Sequence, residues 1–278
     1  MNIGDALQTG AEAAGRRDAV LILAHALKID PADALISDPN KELTLDEEKC
    51  FVDLIEKRQK KMPTQYILGK WEFMGLPFAV GPGVLIPRAD TEILVETVLE
   101  YKPKKILDLC TGSGCIAVAL ASMLPDSRIT ATDISAEALR YAKKNAEDNN
   151  VADRINFIRS DMFCGVSGVF DCIVSNPPYI PSFEIDHLPD DVRIYEPHSA
   201  LDGGADGLFF YGIIFGQAKK YLKNGGLVFT EVGPHGAAAK IMRSNGYVNV
   251  SIINDYSGKP RVLCGCYSKP PEDLCSSF

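Results

Sequence analysis

A chain of 278 residues can bury one large core or two modest ones, on a scale of roughly 150 residues per domain. Apolar residues at 46% and charged residues at 24% are the proportions of a soluble globular protein and exclude a disordered chain, save in the tail from Lys269 to Phe278. A net charge of -8 and a pI near 5.1 set up a field that repels polyanions, so duplex DNA is disfavoured as a substrate.

Residues 1–62 carry a helical pattern. Ala19 to Leu27 is a nearly continuous apolar helix, and Phe51, Leu54 and Ile55 make a stripe opposite Asp53, Glu56 and Lys57. This predicts a small all-α N-terminal domain. Its beginning holds Asp5 and Glu12 and no basic stretch leading into an apolar one, and no window reaches the apolar length of a membrane span. A cytoplasmic protein with no membrane partner is expected. The basic run Lys57-Arg58-Gln59-Lys60-Lys61 reads as the solvated last turn of a helix, where cations suit the dipole, with a nucleic-acid or acidic-partner contact as the alternative.

Residues 63–87 change character. Tyr66-Ile67-Leu68-Gly69, Trp71, Phe73, Phe78, Val80 and Val84-Leu85-Ile86-Pro87 combine aromatic and β-branched residues with Gly and Pro, which predicts a linking β-hairpin. From residue 88 to 278, strands and helices alternate. Strands are expected at Lys105–Leu109, Arg128–Thr132, Ile155–Arg159, Phe170–Ser175, Leu227–Val232, Val248–Asn254 and Arg261–Tyr267, with a helix from Cys115 to Leu124. Leu208, Tyr211, Phe215, Ala218 and Leu222 mark a further helix. The pattern is α/β: a doubly wound, mostly parallel seven-stranded sheet. Its last two strands are joined through Ser257-Gly258-Lys259-Pro260 without a helix, so an antiparallel edge strand is expected.

Two stretches carry chemistry. Asp108-Leu109-Cys110-Thr111-Gly112-Ser113-Gly114 closes the first of these strands and opens a helix; its glycines let a ligand approach the backbone, and the helix start offers free N–H groups. Asp133 ends the next strand about 20 residues on, where an acidic residue grips ribose hydroxyls. A nucleoside cofactor follows, and Gly112 to Ala117 also fits the relaxed dinucleotide pattern. Asp108 suits a cationic or amine-bearing cofactor, and Asp161 is followed by Met162-Phe163, an apolar pair able to cover an adenine ring.

The second stretch, Asn176-Pro177-Pro178-Tyr179, ends the fourth of these strands. It contains no acid, base or nucleophile. The Asn176 side-chain carbonyl and a main-chain carbonyl held by proline can together accept both hydrogens of a planar NH2 group, while Tyr179 stacks on it. That suits attack by a weakly nucleophilic amide or aryl amine on a strong electrophile. The four histidines, His25, His187, His198 and His235, lack ligand-like spacing, and Cys110, Cys172, Cys264 and Cys266 read as reduced residues in apolar runs, so no metal is expected.

The glycine loop and the Asn-Pro-Pro-Tyr run resemble motifs of S-adenosylmethionine-dependent methyltransferases acting on planar amino groups. Nearly the whole chain resembles the bacterial protein-(glutamine-N5) methyltransferases of peptide chain release factors. The resemblance adds Pro63-Thr64-Gln65-Tyr66-Ile67-Leu68-Gly69, Glu72-Phe73-Met74-Gly75-Leu76, Leu85-Ile86-Pro87-Arg88-Ala89-Asp90-Thr91-Glu92, Tyr195-Glu196-Pro197 and Ala200-Leu201-Asp202-Gly203-Gly204, in the family's order. It implies that Cys110, Thr111, Gly112, Ser113, Gly114, Asp133, Asp161, Met162 and Asn176 bind S-adenosyl-L-methionine, leaving S-adenosyl-L-homocysteine. Asn176, Pro177 and Tyr179 are implied as catalytic, with Pro178 beside them at the substrate. The substrate implied is the glutamine of the Gly-Gly-Gln motif in class 1 release factors, recognised with the help of residues 1–62. Arg88, Glu92, Glu196, Glu231 and Arg261 carry motif membership alone, with salt bridges as the plainer reading. A ribosomal-protein glutamine and an exocyclic adenine amine are the rival substrates. A nicotinamide-dependent dehydrogenase would leave Asn176 to Tyr179 idle, and a non-catalytic binding module would need no substrate clamp.

Overall fold

A computed structural model of the chain describes residues 1–233 and 236–268. His235 and the tail from Lys269 to Phe278 lie outside them. The described chain divides into two compact units: one comprises Met1–Trp71, Val80–Pro82 and Leu188–Glu196, and the other holds the remainder.

The first unit is helical: α1 (Ile3–Ala14), α2 (Arg16–Leu27), α3 (Pro31–Ile36), α4 (Leu45–Gln59) and α5 (Thr64–Leu68). The starts of α1, α3 and α4 are set by short side chains, Asn2, Asp30 and Thr44, that satisfy otherwise unpaired N–H groups. The Asn2 side chain accepts from the Asp5 N–H at 2.8 Å, and Thr44 and Glu47 form a reciprocal capping box at α4. The expected stripe is in place, with Phe51, Leu54 and Ile55 packed on Ile3, Ile22 and Leu23. Within the basic run, Arg58 Nε donates to Asp18 Oδ2 at 2.7 Å, and the Lys60 carbonyl accepts from the Tyr195 hydroxyl at 2.6 Å.

The linker differs from the expectation at its start. Thr64–Leu68 is a helical turn, because Pro63 sets up its entry and Gly69, at φ 69°, ends it in the left-handed region. The hairpin is confined to β1 (Lys70–Phe73) and β2 (Leu76–Ala79), turned at Met74 and Gly75, both at positive φ.

The second unit continues with α6 (Glu92–Tyr101), β3 (Lys105–Leu109), α7 (Cys115–Met123), β4 (Arg128–Asp133), α8 (Ala136–Asp148), β5 (Ile155–Arg159) and β6 (Phe170–Ser175). After α9 (Asp190–Tyr195), which belongs to the first unit, come α10 (Phe209–Gln217), β7 (Leu222–Glu231), α11 (Ala237–Ser244), β8 (Val248–Asn254) and β9 (Pro260–Cys266). Among the described residues seven strands form one mixed sheet in the order β5-β4-β3-β6-β7-β9-β8. Neighbours from β5 to β7 pair in parallel, and β9 is antiparallel to both β7 and β8. The mostly parallel sheet is as expected, but its reversed strand lies one place inside the edge. The crossover through α11 sets β8 at the edge in the parallel sense, and the turn at Asp255–Gly258 returns β9 into the space between β8 and β7.

Leu222 is a second difference. Tyr211, Phe215 and Ala218 lie buried on α10 and the turn after it, but Leu222 opens β7, paired with Phe170 ahead of a register shift. Leu107, Ile173, Val228 and Leu263, each 0% exposed, form the sheet's interior. No described helix is long and apolar enough to cross a membrane.

Candidate functional site

The chain passes from β3 to β4 and β5 on one side and then starts again with β6 on the other, so the strand order reverses between β3 and β6. Ligands in open α/β sheets bind outside the carboxyl ends of the strands at that reversal. A cavity of about 400 Å³ lies there, lined by residues that follow β3, β4, β5 and β6. Its volume is within the roughly 300–1,000 Å³ typical of small-molecule sites.

The glycine loop forms one wall. Cys110 at φ 59° and Gly112 at φ 55° bend the chain sharply out of β3. A Cβ added to Gly112 would meet nothing within 4 Å, so the loop's open side borders the cavity. Gly114 faces the other way: at φ 80° a Cβ would come within 2.9 Å of the Ala142 Cβ, which fixes the loop against α8. Asn145 on α8 completes the support. Its Nδ2 donates to the Ser113 and Ala79 carbonyls at 2.9 and 3.1 Å, and its Oδ1 accepts from the Ala79 N–H at 2.6 Å.

The two acidic residues of this region have different tasks. Asp133 lines the cavity; its Oδ2 accepts from the Gly112 N–H at 2.8 Å and its Oδ1 from the Ser135 N–H at 2.9 Å. Burial raises its pKa, and these backbone bonds oppose the rise. Each oxygen keeps a lone pair for a ligand hydroxyl. Asp108, expected to face a cationic cofactor, is 0% exposed and does not line the cavity. It accepts from Thr111 Oγ1 at 2.6 Å, and burial pushes its carboxyl up to about 7 against that bond. Its place beneath the loop follows from the inward alternation of β3, which buries Ile106 to Leu109 in turn on both faces of a covered sheet.

Asn176 stands at the end of β6 on the opposite wall. Its Nδ2 donates to Thr91 Oγ1 at 3.2 Å, and Thr91 Oγ1 donates to Glu231 Oε2 at 2.6 Å. Glu231, 2% exposed at the end of β7, also accepts from the Tyr179 hydroxyl on Oε1 at 3.2 Å, while its main-chain carbonyl accepts from the Tyr211 hydroxyl at 2.8 Å. Burial raises the Glu231 pKa, and the bonds from Thr91 and Tyr179 and the nearby Arg261 oppose the rise. The Asn-Pro-Pro-Tyr loop is braced from behind by the Asp202-Gly203 segment: Ile180 N–H donates to the Leu201 carbonyl at 3.0 Å and Gly203 N–H to the Ile180 carbonyl at 2.8 Å. Gly203 sits so close that a Cβ would lie 2.7 Å from the Tyr179 Cα.

Of the residues singled out in the sequence, Cys110, Thr111, Gly112, Ser113, Asp133, Asp161, Met162, Asn176 and Pro178 line this cavity, and Gly114, Pro177 and Tyr179 do not. Tyr179 borders a separate hollow of about 110 Å³. Phe163, expected with Met162 over an adenine, is 3% exposed and stacks on Tyr221 with centroids 4.9 Å apart. Sequence reasoning missed Ile134, which is 56% exposed at the cavity, and the edge-to-face pair Phe209–Phe210. Ile134 directly follows Asp133, so an apolar residue after the ribose-type acid was its available signal. Arg88 lines the cavity. Glu92 accepts from the Met74 N–H at 2.6 Å, and Arg261 pairs with Asp90 at 2.8 Å and Asp255 at 3.0 Å, the plainer reading of these charges.

The donors and walls fit a nucleoside cofactor: a carboxylate with lone pairs to spare, an open glycine backbone, and Ile134 and Met162 as apolar cover. Among the described residues no group of three or more His, Cys, Asp or Glu side chains is arranged to hold a metal.

Comparison with known proteins agrees with this architecture. Residues 4–69 match the PrmC N-terminal domain, and residues 88–187 match the methyltransferase small domain. The chain is 43% identical over 256 residues to a release factor glutamine methyltransferase of Thermodesulfovibrio yellowstonii, covering 89% of this chain and 91% of that one. It is 42% identical over 257 residues to the release factor glutamine methyltransferase of Clostridium acetobutylicum, covering 88% and 89%. Among solved structures, a Pyrococcus furiosus methyltransferase shares the fold with a TM-score of 0.55 at 23% identity, over 71% of this chain and 91% of that one. A T. thermophilus 16S rRNA N2 G1207 methyltransferase solved with AdoMet and guanosine does so with a TM-score of 0.54 at 18% identity, over 72% and 50%.

Proposed function

Because the chain belongs to the release factor glutamine methyltransferase family, we propose that it transfers a methyl group from S-adenosylmethionine to the side-chain amide nitrogen of the glutamine in the Gly-Gly-Gln motif of class 1 peptide chain release factors. The observation that carries the site assignment is the Asn176 amide, whose NH2 is committed to Thr91 and whose carbonyl oxygen is thereby left for a substrate at the cavity wall.

In this reading Asp133 takes the ribose hydroxyls, the loop from Cys110 to Ser113 borders the methionine part, and Ile134 and Met162 flank the adenine. When bound, S-adenosylmethionine supplies a methyl group activated by the sulfonium charge. The chain's own task is positioning. Asn176 Oδ1, with the Pro177 carbonyl as second acceptor, holds the two hydrogens of the substrate NH2 and so aims its lone pair. No side chain need remove a proton before attack; the nitrogen lone pair forms the new N–CH3 bond as the methyl leaves sulfur, and one of the two held hydrogens is then lost as a proton to water. As positive charge develops on that nitrogen the two hydrogen bonds strengthen, which is binding of the transition state in preference to the substrate. Tyr179, fixed by Glu231, shapes the loop on which both acceptors sit.

The test is transfer of labelled methyl to purified release factor, to a factor lacking the Gly-Gly-Gln glutamine, to ribosomal protein and to DNA, side by side. Label confined to the unaltered factor is expected; label on ribosomal protein or DNA instead would overturn the substrate. Asn176→Ala is expected to lower turnover by on the order of 10²–10³-fold while S-adenosylmethionine affinity, read by calorimetry, falls far less. Equal losses in both would remove Asn176 from its proposed role.

A further inference from the structure

Resting on that reading of Asn176 as acceptor for the substrate NH2, we infer that Thr91 and Glu231 are positioning residues that dictate which end of the Asn176 amide faces the cavity. An asparagine amide turned by half a rotation fills nearly the same space, yet only one of the two orientations presents a carbonyl oxygen. Packing does not choose between them; hydrogen-bond direction does.

Thr91 Oγ1 has one hydrogen. It lies 2.6 Å from Glu231 Oε2, and a carboxylate only accepts, so that hydrogen is committed to Glu231. Towards its other neighbour, Asn176 at 3.2 Å, Thr91 must then act as acceptor, and Asn176 must offer its NH2. The carbonyl oxygen is turned the other way. The second oxygen of Glu231 accepts from Tyr179, so the carboxylate is engaged on both sides and the direction of the whole chain of bonds is fixed at its buried end. Thr91 and Glu231 are each 2% exposed, which keeps water from supplying a competing donor. Burial raises the Glu231 pKa, and the bonds from Thr91 and Tyr179, with Arg261 on β9, oppose that rise and favour the carboxylate; Asp90 in the turn before α6 adds to the rise, and is itself paired with Arg261 at 2.8 Å.

Thr91→Val keeps the shape and removes the hydroxyl, Thr91→Ser keeps the hydroxyl, and Glu231→Gln replaces an acceptor-only group by one that also donates. With the amide free to turn, the site offers NH2 where it had offered oxygen, and a carboxylate becomes acceptable in place of the substrate amide. The decisive measurement is therefore the ratio of affinities for a release factor with glutamate in place of the Gly-Gly-Gln glutamine and for the unaltered factor. In Thr91→Val and Glu231→Gln the preference for glutamine is expected to fall roughly tenfold or more and kcat to fall about 10- to 100-fold, with Thr91→Ser recovering most of both. A lowered kcat with unchanged preference, or a Thr91→Ser variant as impaired as Thr91→Val, would overturn the inference.

The NMR signals of the Asn176 side-chain NH2 in the protein alone give a second readout. A slowly exchanging pair present in wild type and Thr91→Ser and lost in Thr91→Val is expected; a pair unchanged in Thr91→Val sinks the inference. If wild type leaves release factor unlabelled, the functional reading fails, while these signals still decide what orients Asn176.

Discussion

Asp108 shows how one side chain can tie stability to pH. Its carboxyl titrates near 7 in the fold and near 3.8 as a free group, burial being the main cause. Between those values the folded chain holds a proton that the unfolded chain has released, so folding stability falls as pH rises, by at most about 1.4 kcal/mol per pH unit. The stabilising protonated form is fully present below the lower value and its contribution is lost above the upper one. Asp108→Asn keeps an acceptor for Thr111 and cannot ionise. The Tm of this variant relative to wild type is expected to rise between about pH 5 and pH 8. Parallel Tm profiles over that range would mean that Asp108 is not the buried titrating group described. Burial raises the pKa of Asp133 as well, but there backbone N–H groups, those of Gly112 and Ser135 among them, oppose the rise by bonding the ionised form.

Among the elements, α8 does more than cover the sheet. Asn145, 0% exposed, links Ser113 of the glycine loop to Ala79 at the end of β2 by three hydrogen bonds. Asn145→Ala strands the buried Ser113 carbonyl and the part-buried Ala79 N–H and carbonyl; a fully buried unsatisfied group costs roughly 1–3 kcal/mol, a part-buried one less. A destabilisation of about 3 kcal/mol by urea unfolding is expected, together with weaker S-adenosylmethionine binding. A loss below about 0.5 kcal/mol, the range of ordinary surface substitutions, would show that the three bonds do not act together. Asn145 also marks the limit of the sequence. Parallel strands such as Lys105–Leu109 and Phe170–Ser175 were legible because covered strands read as continuous apolar runs, and the glycine loop because its backbone needs leave few residue choices. Asn145 is one polar residue on an apolar helix stripe beside Leu139, Ala142 and Ala146, and nothing local announces that its partners lie 32 and 66 positions away. Thr91 and Glu231 were named by motif membership, but their contact across 140 positions was hidden for the same reason, and the place of β9 depended on a gap in the sheet that exists only after β8 has crossed over.

For the whole molecule, a net charge of -8 acts on every encounter. The run at Lys57–Lys61 does not reverse that field, because Arg58 is already paired with Asp18. No retention of duplex DNA is expected in a gel-shift at about 0.15 M salt, where screening reaches about 8 Å; a retained complex there would restore nucleic acid as a partner. The position of β9 has a bearing on biosynthesis. β7 presents its unpaired edge until residues 260–266 arrive, although it is itself complete at Glu231. A growing chain that has emerged only as far as β8 must therefore carry an open edge of backbone donors and acceptors, a template for pairing with a neighbouring nascent chain. Ribosome-bound chains of which residues up to about 255 have emerged should stay protease-sensitive across β6 and β7, and chains held on a C-terminal extension long enough for residue 266 to emerge should not. The sheet would thus close only when its penultimate strand, the last of the described strands in chain order, has left the ribosome.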